Sequence, residues 1–182
     1  MKEYNDEELL TDFAEGDNPN YAFNMIVRKY QEPVYWHVRR LVISHDDAND
    51  IVQDVFLKAW QALGSFRRDA ALFTWLYRIA TNEALSFLKK KKRRYLLPLT
   101  DVSRQLEESL EADVYYEGDK MEKQIQKAIL SLPEKQRAVF NLRYYDEMKY
   151  EDMSGILDTS VGALKASYHH AVKKIQKYIE PD

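Results

Sequence analysis

The chain has no cysteine in 182 residues, which excludes disulfides, thiolate metal sites and thiol nucleophiles together. Only four histidines are available for metal or acid–base chemistry. Five glycines and five prolines leave long stretches without breakers, and no strand-like alternation of any length occurs between them. No apolar run approaches the roughly 20 residues needed to cross a bilayer. The N-terminus, MKEYNDEELLTDF, lacks the basic-then-apolar plan of a secretion signal. The expectation is a cytoplasmic protein with no membrane insertion.

Apolar residues make up 45% of the chain, ample for real cores, and they recur three and four apart, so the predicted fold is all-α. The net charge of -3 conceals a strong alternation. Residues 1–57 carry five Lys/Arg against twelve Asp/Glu, residues 58–94 ten against two, residues 95–119 one against seven, and residues 120–182 eleven against nine. Charge segregated in this way predicts separate surfaces for separate partners, with a polyanion fitting the basic second segment. The opposed charges of that segment and the acidic third one also allow a contact that shuts the chain on itself.

Organisation follows the same divisions: an acidic N-terminal lead-in helix over 1–20, a helical module over 21–94, a flexible acidic tether over 95–119 bounded by Pro98 and Gly118, and a second helical module over 120–182. The first module ends in FTWLYRIATNEALSFLKKKKRR, residues Phe73 to Arg94. At about 100° per residue, Leu72, Phe73, Leu76, Ile79, Ala80, Ala84 and Phe87 gather as a core stripe. Trp75, Arg78, Asn82, Ser86 and Lys89 fall on a different side, continued by Lys90 and the rest of the basic run. An aromatic plane, a guanidinium, an amide, a hydroxyl and ammonium groups in one line suit nucleic acid. The cations neutralise phosphates, Trp stacks on an unpaired base, and Asn or Arg bonds to base edges. The bland reading is a solvated helix face with a soluble basic tail. The preceding loop, GSFRRDAAL, adds Arg67 and Arg68 among small residues that permit close approach.

In the second module, Ser131 is a candidate N-cap with Pro133 in the first helical turn. YEDMSGIL then reads as a short helix, DTS as a break, and Thr159 or Ser160 as the cap of a longer helix from Val161, the helix-turn-helix pattern. On the longer helix Val161, Leu164, Tyr168, Ala171, Val172 and Ile175 form a core stripe, and Gly162, Ala163, Ala166, His169, His170 and Lys173 point away. Small residues near the helix start admit a groove floor, and Lys165, Ser167, His169, His170 and Lys174 supply hydrogen bonds and charge. His169 and His170 are adjacent and so point about 100° apart with no third ligand in view, which argues against a metal. His45-Asp46, near His37, Asp47, Asp50 and Asp54, matches the dipeptide of metal-dependent phosphohydrolases. The further histidine such a site needs lies only in the other module. No enzyme, cofactor or metal is expected.

The ordered set DDANDIVQDVFLKAWQAL, FTWLYRIATNEALSFLKKKKR, an acidic tether, LPEKQRAVFNLRYYDEMKYEDMSGIL and SVGALKASYHHAVKKI resembles a bacterial RNA polymerase sigma factor of the extracytoplasmic-function (ECF) group over nearly the whole chain. The resemblance implies two helical domains and a linker, the second domain a helix-turn-helix, serving transcription initiation. It implies core RNA polymerase and promoter DNA as partners, with an anti-sigma protein as the regulator common in the family. Carried over by position, Asp50, Gln53, Asp54, Phe56 and Lys58 fall on the helix that docks on a coiled coil of the polymerase's largest subunit. Arg67 and Arg68 fall in the loop that captures a flipped base. Trp75, Arg78, Asn82, Ser86, Lys89 and Lys90 fall on the minus-ten surface. Lys165, Ala166, Ser167, His169, His170, Lys173 and Lys174 fall on the helix that reads the minus-thirty-five element. Two departures stand out: Asp158 where the family often has Gly, and ASYHHAV where an Arg-rich helix is common. A helix-turn-helix regulator that acts without polymerase is the other reading; it leaves DDANDIVQDVFLKAW as a merely charged face.

Overall fold

A computed structural model describes residues 5–94, 99–113 and 120–180. Every regular element among them is an α-helix: α1 Asp6–Glu15, α2 Pro19–Val42, α3 His45–Leu63, α4 Leu72–Arg94, α5 Leu99–Glu111, α6 Lys120–Leu130, α7 Glu134–Tyr144, α8 Tyr150–Leu157 and α9 Val161–Ile179. Pro98 and Gly118, expected to bound the tether, lie outside the described residues.

Local chemistry sets where these helices begin. Asn5 and Glu8 form a reciprocal capping box at α1, satisfying two backbone donors that the first turn leaves free. Asn18 Oδ1 accepts from the Tyr21 N–H at 3.0 Å, with Pro19 at the first helical position of α2. Between α2 and α3 the chain reverses through Ile43, whose φ is 66° and whose flanking Ser44 N–H donates to Val42 O at 2.8 Å. A β-branched residue is costly in that region. Its side chain is fully buried, so core packing holds the turn and fixes α3 against α2.

Helices α1, α3 and α4 pack around α2, while α6, α7 and α8 pack against α9. The α4 stripe inferred from periodicity is on the inside, but burial extends wider. Leu72, Leu76, Ala80 and Ala84 are buried together with Thr74, Tyr77, Thr81 and Leu88, whereas Phe73, Ile79 and Phe87 are half-buried. The cause is a second covering: α8 lies along α4, and α7 touches α2. One apolar core therefore runs from Leu9 through Leu76 to Met153, Ile156 and Leu164. A smaller one joins Ile129, Phe140, Ala171 and Ile175 inside the second module.

Within the tether 13 residues form α5. In the sequence Leu99, Val102, Leu106 and Leu110 are spaced three and four apart, and Leu106 and Leu110 enter the large core. Ser131 does not cap α7; its hydroxyl donates back to Ala128 O at 2.6 Å, and Pro133 occupies the N-cap position. The residue before a proline disfavours helical geometry, so the helix starts after Pro133 rather than through it.

The break before α9 is built on Asp158, which takes the left-handed conformation at φ 49° and ψ 49°. Thr159 Oγ1 donates to Leu157 O at 3.0 Å, and Ser160 Oγ accepts from the Ala163 N–H at 3.3 Å, so Ser160 is the cap. Aspartate tolerates this conformation better than most residues, but its Cβ still makes it costlier than glycine there. Asp158→Gly is expected to stabilise the fold by about 0.5 kcal/mol, read as a raised urea midpoint with unchanged slope. A lowered midpoint would show that the carboxylate itself supports the turn.

Candidate nucleic-acid interface

Helix α4 carries its polar stripe outward. Arg78, Asn82, Ser86 and Lys89 are exposed about one turn apart along a single face, and Lys90, beside Lys89, is exposed as well. Trp75 heads this line but is half-buried, its ring 5.0 Å from Phe66 at 38°. The indole is thus held by the loop from one side and presents only part of its surface. Sequence spacing identified Trp75 and missed Phe66, although an aromatic in the loop preceding the helix was the available signal.

Within that loop Arg67 and Arg68 are both exposed. Arg68 adopts φ 58° and its Nη1 donates to Glu7 Oε2 at 3.2 Å, while Arg67 lies 3.5 Å from Asp69. Both pairs are solvent-exposed and hold their cations weakly. A phosphate can displace either carboxylate, because the cation exchanges one anion for another. The basic run is not uniformly free either. Lys91 Nζ turns back to Asp47 Oδ2 on α3 at 3.2 Å and lies 5.6 Å from the Phe87 ring centre. That anchors the end of α4 and leaves Lys89 and Lys90 outward.

Helix α3 offers a different surface. Asp50, Gln53 and Asp54 are exposed on one face, and Leu57, one turn on, is 56% exposed. The spacing of three, four and seven places Leu57 among them. That spacing is present in the sequence, but a leucine on an amphipathic helix reads as core until its direction of packing is known. Phe56, assigned by position to the docking surface, is 8% exposed and packs in the large core; it supports the helix from beneath. Lys58 Nζ sits 2.6 Å from Glu83 Oε1 and ties α3 to α4.

On α9 the two faces separate as the periodicity indicated. Leu164, Ala171 and Ile175 are buried and Val161, Tyr168 and Val172 half-buried, while Gly162, Ala163, Lys165, Ala166, His169, His170, Lys173 and Lys174 are exposed; Ser167 is half-buried. A Cβ built on Gly162 meets no atom within 4 Å, so the helix start is an open, small-residue surface. Lys165 Nζ stands 5.7 Å from the Tyr150 ring centre, whose other neighbour is Arg143 at 5.2 Å. Lys174 Nζ donates to Gln136 Oε1 at 3.1 Å. The Tyr168 hydroxyl is pushed up chiefly by burial, with Tyr150 adding to it, so it stays a neutral hydrogen-bonding group.

The histidines do not converge. His169 and His170 ring centres are 6.1 Å apart, His45 contacts Tyr35 and Asn49, and His37 is buried against Asp146 and Thr81. Among the described residues no group of three or more His, Asp or Glu is placed to hold a metal. No described helix is long and apolar enough to cross a membrane.

Comparison with known proteins places the chain in a family. Residues 26–94 match Sigma-70 region 2, and residues 122–175 match Sigma-70 region 4. The chain is 33% identical to the RNA polymerase sigma-H factor of Pseudomonas aeruginosa, across 97% of this chain and 94% of that one. It is 34% identical to the ECF RNA polymerase sigma-E factor of Escherichia coli, across 97% and 95%. Its fold is similar to that of CnrH, solved in complex with the cytosolic domain of CnrY (TM-score 0.69, 23% identity, 97% and 98% covered). The sigma factor RpoE of Bartonella quintana, solved with the anti-sigma factor NepR, is also similar (TM-score 0.68, 23% identity, 88% and 98% covered).

The exposure of Lys89 and Lys90 predicts a specific salt effect. Each lysine removed from a phosphate should reduce the slope of log K against log salt by roughly 0.9 on duplex DNA. The double variant Lys89→Gln/Lys90→Gln is therefore expected to flatten that slope by about 2 in fluorescence-anisotropy titrations. An unchanged slope would place these lysines away from the DNA.

Proposed function

The chain belongs to the ECF group of RNA polymerase sigma factors, and on that premise we propose how its parts divide the work of promoter-specific transcription initiation. Residues 21–94 form the domain that docks on core RNA polymerase and recognises and melts the minus-ten element. Residues 120–182 form the helix-turn-helix domain that reads the minus-thirty-five element, residues 95–119 link the two, and 1–20 lead in. The protein contributes sequence specificity, and the polymerase contributes the chemistry; no catalytic residue is assigned to this chain. It works in the cytoplasm, where the polymerase is.

The observation that carries this reading is the unbroken line of Arg78, Asn82, Ser86 and Lys89 exposed on α4 beside the half-buried Trp75. Stacking on Trp75 rewards a base only after it leaves its pair, and is worth roughly 1–3 kcal/mol per base. Arg67 and Arg68 in the adjoining loop secure the backbone of the displaced strand. Asp50, Gln53 and Asp54, with Leu57 between them, form the docking face on core polymerase. Lys165, Ala166, Ser167, His169, His170, Lys173 and Lys174 face the minus-thirty-five groove, with alanine and serine against bases and lysines against phosphates. The fold-related sigma factor RpoE of Bartonella quintana, solved with the anti-sigma factor NepR, supports an anti-sigma protein as a further partner.

The test is run-off transcription by purified core polymerase on DNA with randomised upstream sequence. Transcripts that depend on this chain and share two spaced upstream motifs are expected. Asp54→Arg is expected to abolish them by reversing charge on the docking face, and to weaken co-purification with core polymerase at least tenfold. A silent polymerase alongside DNA retarded by the protein alone would favour the stand-alone regulator.

Trp75→Ala is expected to leave closed-complex binding within about twofold and to cut open-complex formation roughly tenfold, as the loss of one stacked base implies. Permanganate reactivity of minus-ten thymines reads this directly. Thymines as reactive as with the wild-type chain would remove Trp75 from the melting step.

A further inference from the structure

We propose that Lys58 is a positioning residue for DNA binding by α4: by neutralising Glu83 it clears the phosphate path along that helix, and it takes no part in docking on core polymerase. This rests on the sigma-factor reading above and moves one residue of the docking helix to the DNA side of the protein.

Glu83 is the sole acid of α4. It follows Asn82 directly and precedes Lys90 by two turns on nearly the same side of the helix. An ionised carboxylate in that place repels the phosphates that Arg78, Lys89 and Lys90 attract. Lys58 Nζ reaches it from α3 at 2.6 Å, and the two charges cancel. The side chains are 52% and 23% exposed, and a pair this open to solvent adds little to stability. Its effect is on the field beside the polar line of α4.

A second ion pair makes the contact part of a pattern. Lys91 Nζ lies 3.2 Å from Asp47 Oδ2, so near the start of α3 the acid is on α3 and the base on α4. Toward the other end of α3 the signs are reversed. Asp47 and Lys58 stand ~16 Å apart along α3, and Glu83 and Lys91 ~12 Å apart along α4. Opposite signs at the two ends leave one antiparallel register in which both pairs form.

The same geometry separates Lys58 from the docking face. Asp54, one turn earlier on α3, stands at the spacing that pairs acid with base along a helix, yet the ammonium goes across to Glu83 on α4. Asp54 thereby keeps its negative charge for a partner outside the chain. Core polymerase can engage Asp50, Gln53, Asp54 and Leu57 without drawing Lys58 away from Glu83.

The test is a charge cycle on the full chain. Fluorescence anisotropy with a labelled mixed-sequence duplex is read at about 50 and 200 mM salt, and co-purification with core polymerase reads docking. Lys58→Gln is expected to weaken DNA binding about twofold at the lower salt, the size of one unit charge acting at about 10 Å through water, with co-purification unchanged. Glu83→Gln should tighten binding by a similar factor, and the double variant should return to the wild-type value. Both effects should shrink at the higher salt, where the screening length falls below about 10 Å. Lys58→Arg, which keeps the charge, should bind as the wild type does. Arg104→Gln removes the same charge from α5 and should leave binding nearly unchanged. Losses of the same sign from Lys58→Gln and Glu83→Gln would reduce the pair to a structural tie and overturn the proposal. So would no change from either, or an equal loss from Arg104→Gln, which would leave net charge as the cause. Lost co-purification with Lys58→Gln would return the residue to docking. A wild-type chain that never yields transcripts would instead sink the sigma reading, a result the titrations do not depend on.

Discussion

A histidine with no exposed surface needs partners for two ring nitrogens, and His37 finds one in its own module and the other in the next. Thr81 comes from α4 and Asp146 from the corner after α7. Asp146 is itself 6% exposed and shared with Arg40, so the arrangement holds only while all three side chains are in place. Such a cluster adds little net stability over an apolar equivalent, but removing one member strands a buried charge at a cost of about 3–5 kcal/mol. The polar end of α2 and the apolar core that α4 shares with α8 together set where the second module rests. Around it, burial pushes the Tyr77 hydroxyl up, with the Asp146 charge adding to the effect. Tyr145 is pushed up to about 12, also chiefly by burial.

The consequence for function is a division of faces. Helix α4 is the element asked to do most: one side fills the first core, another lies under α8, and only the remaining strip is left exposed. Its amphipathic pattern looks modest for that reason. Helix α9 has a single burden and separates cleanly into an apolar side and a side of small and basic residues. Helix α3 lies between these extremes, with its acids and Leu57 outward, Phe56 inward and Lys58 paired with Glu83. The three candidate surfaces are thus what packing leaves over on three helices.

Much of this was legible beforehand, for identifiable reasons. The outward line from Arg78 to Lys89 follows from helical periodicity alone, as does the exposed side of α9. Ser160 was one of two candidate caps, and the structure selects it because Thr159 is occupied with Leu157 O. Phe56 and Leu57 could not be sorted by residue type, since both are apolar and adjacent; only the direction of packing decides which points in. Helix α5 was not legible because its acids mask Leu106 and Leu110, whose spacing becomes informative once a core exists to receive them.

Periodicity, caps and charge order thus determined that this chain is all-helical, that a basic aromatic face ends its first module and that a helix-turn-helix ends its second, because these features arise from residues a few positions apart. The closure of one module on the other was decided only in the tertiary structure. His37 and Asp146 are 109 residues apart, Thr74 and Asp152 are 78 apart, and nothing local in either partner specifies the other; such pairs are chosen by the surfaces that packing brings together.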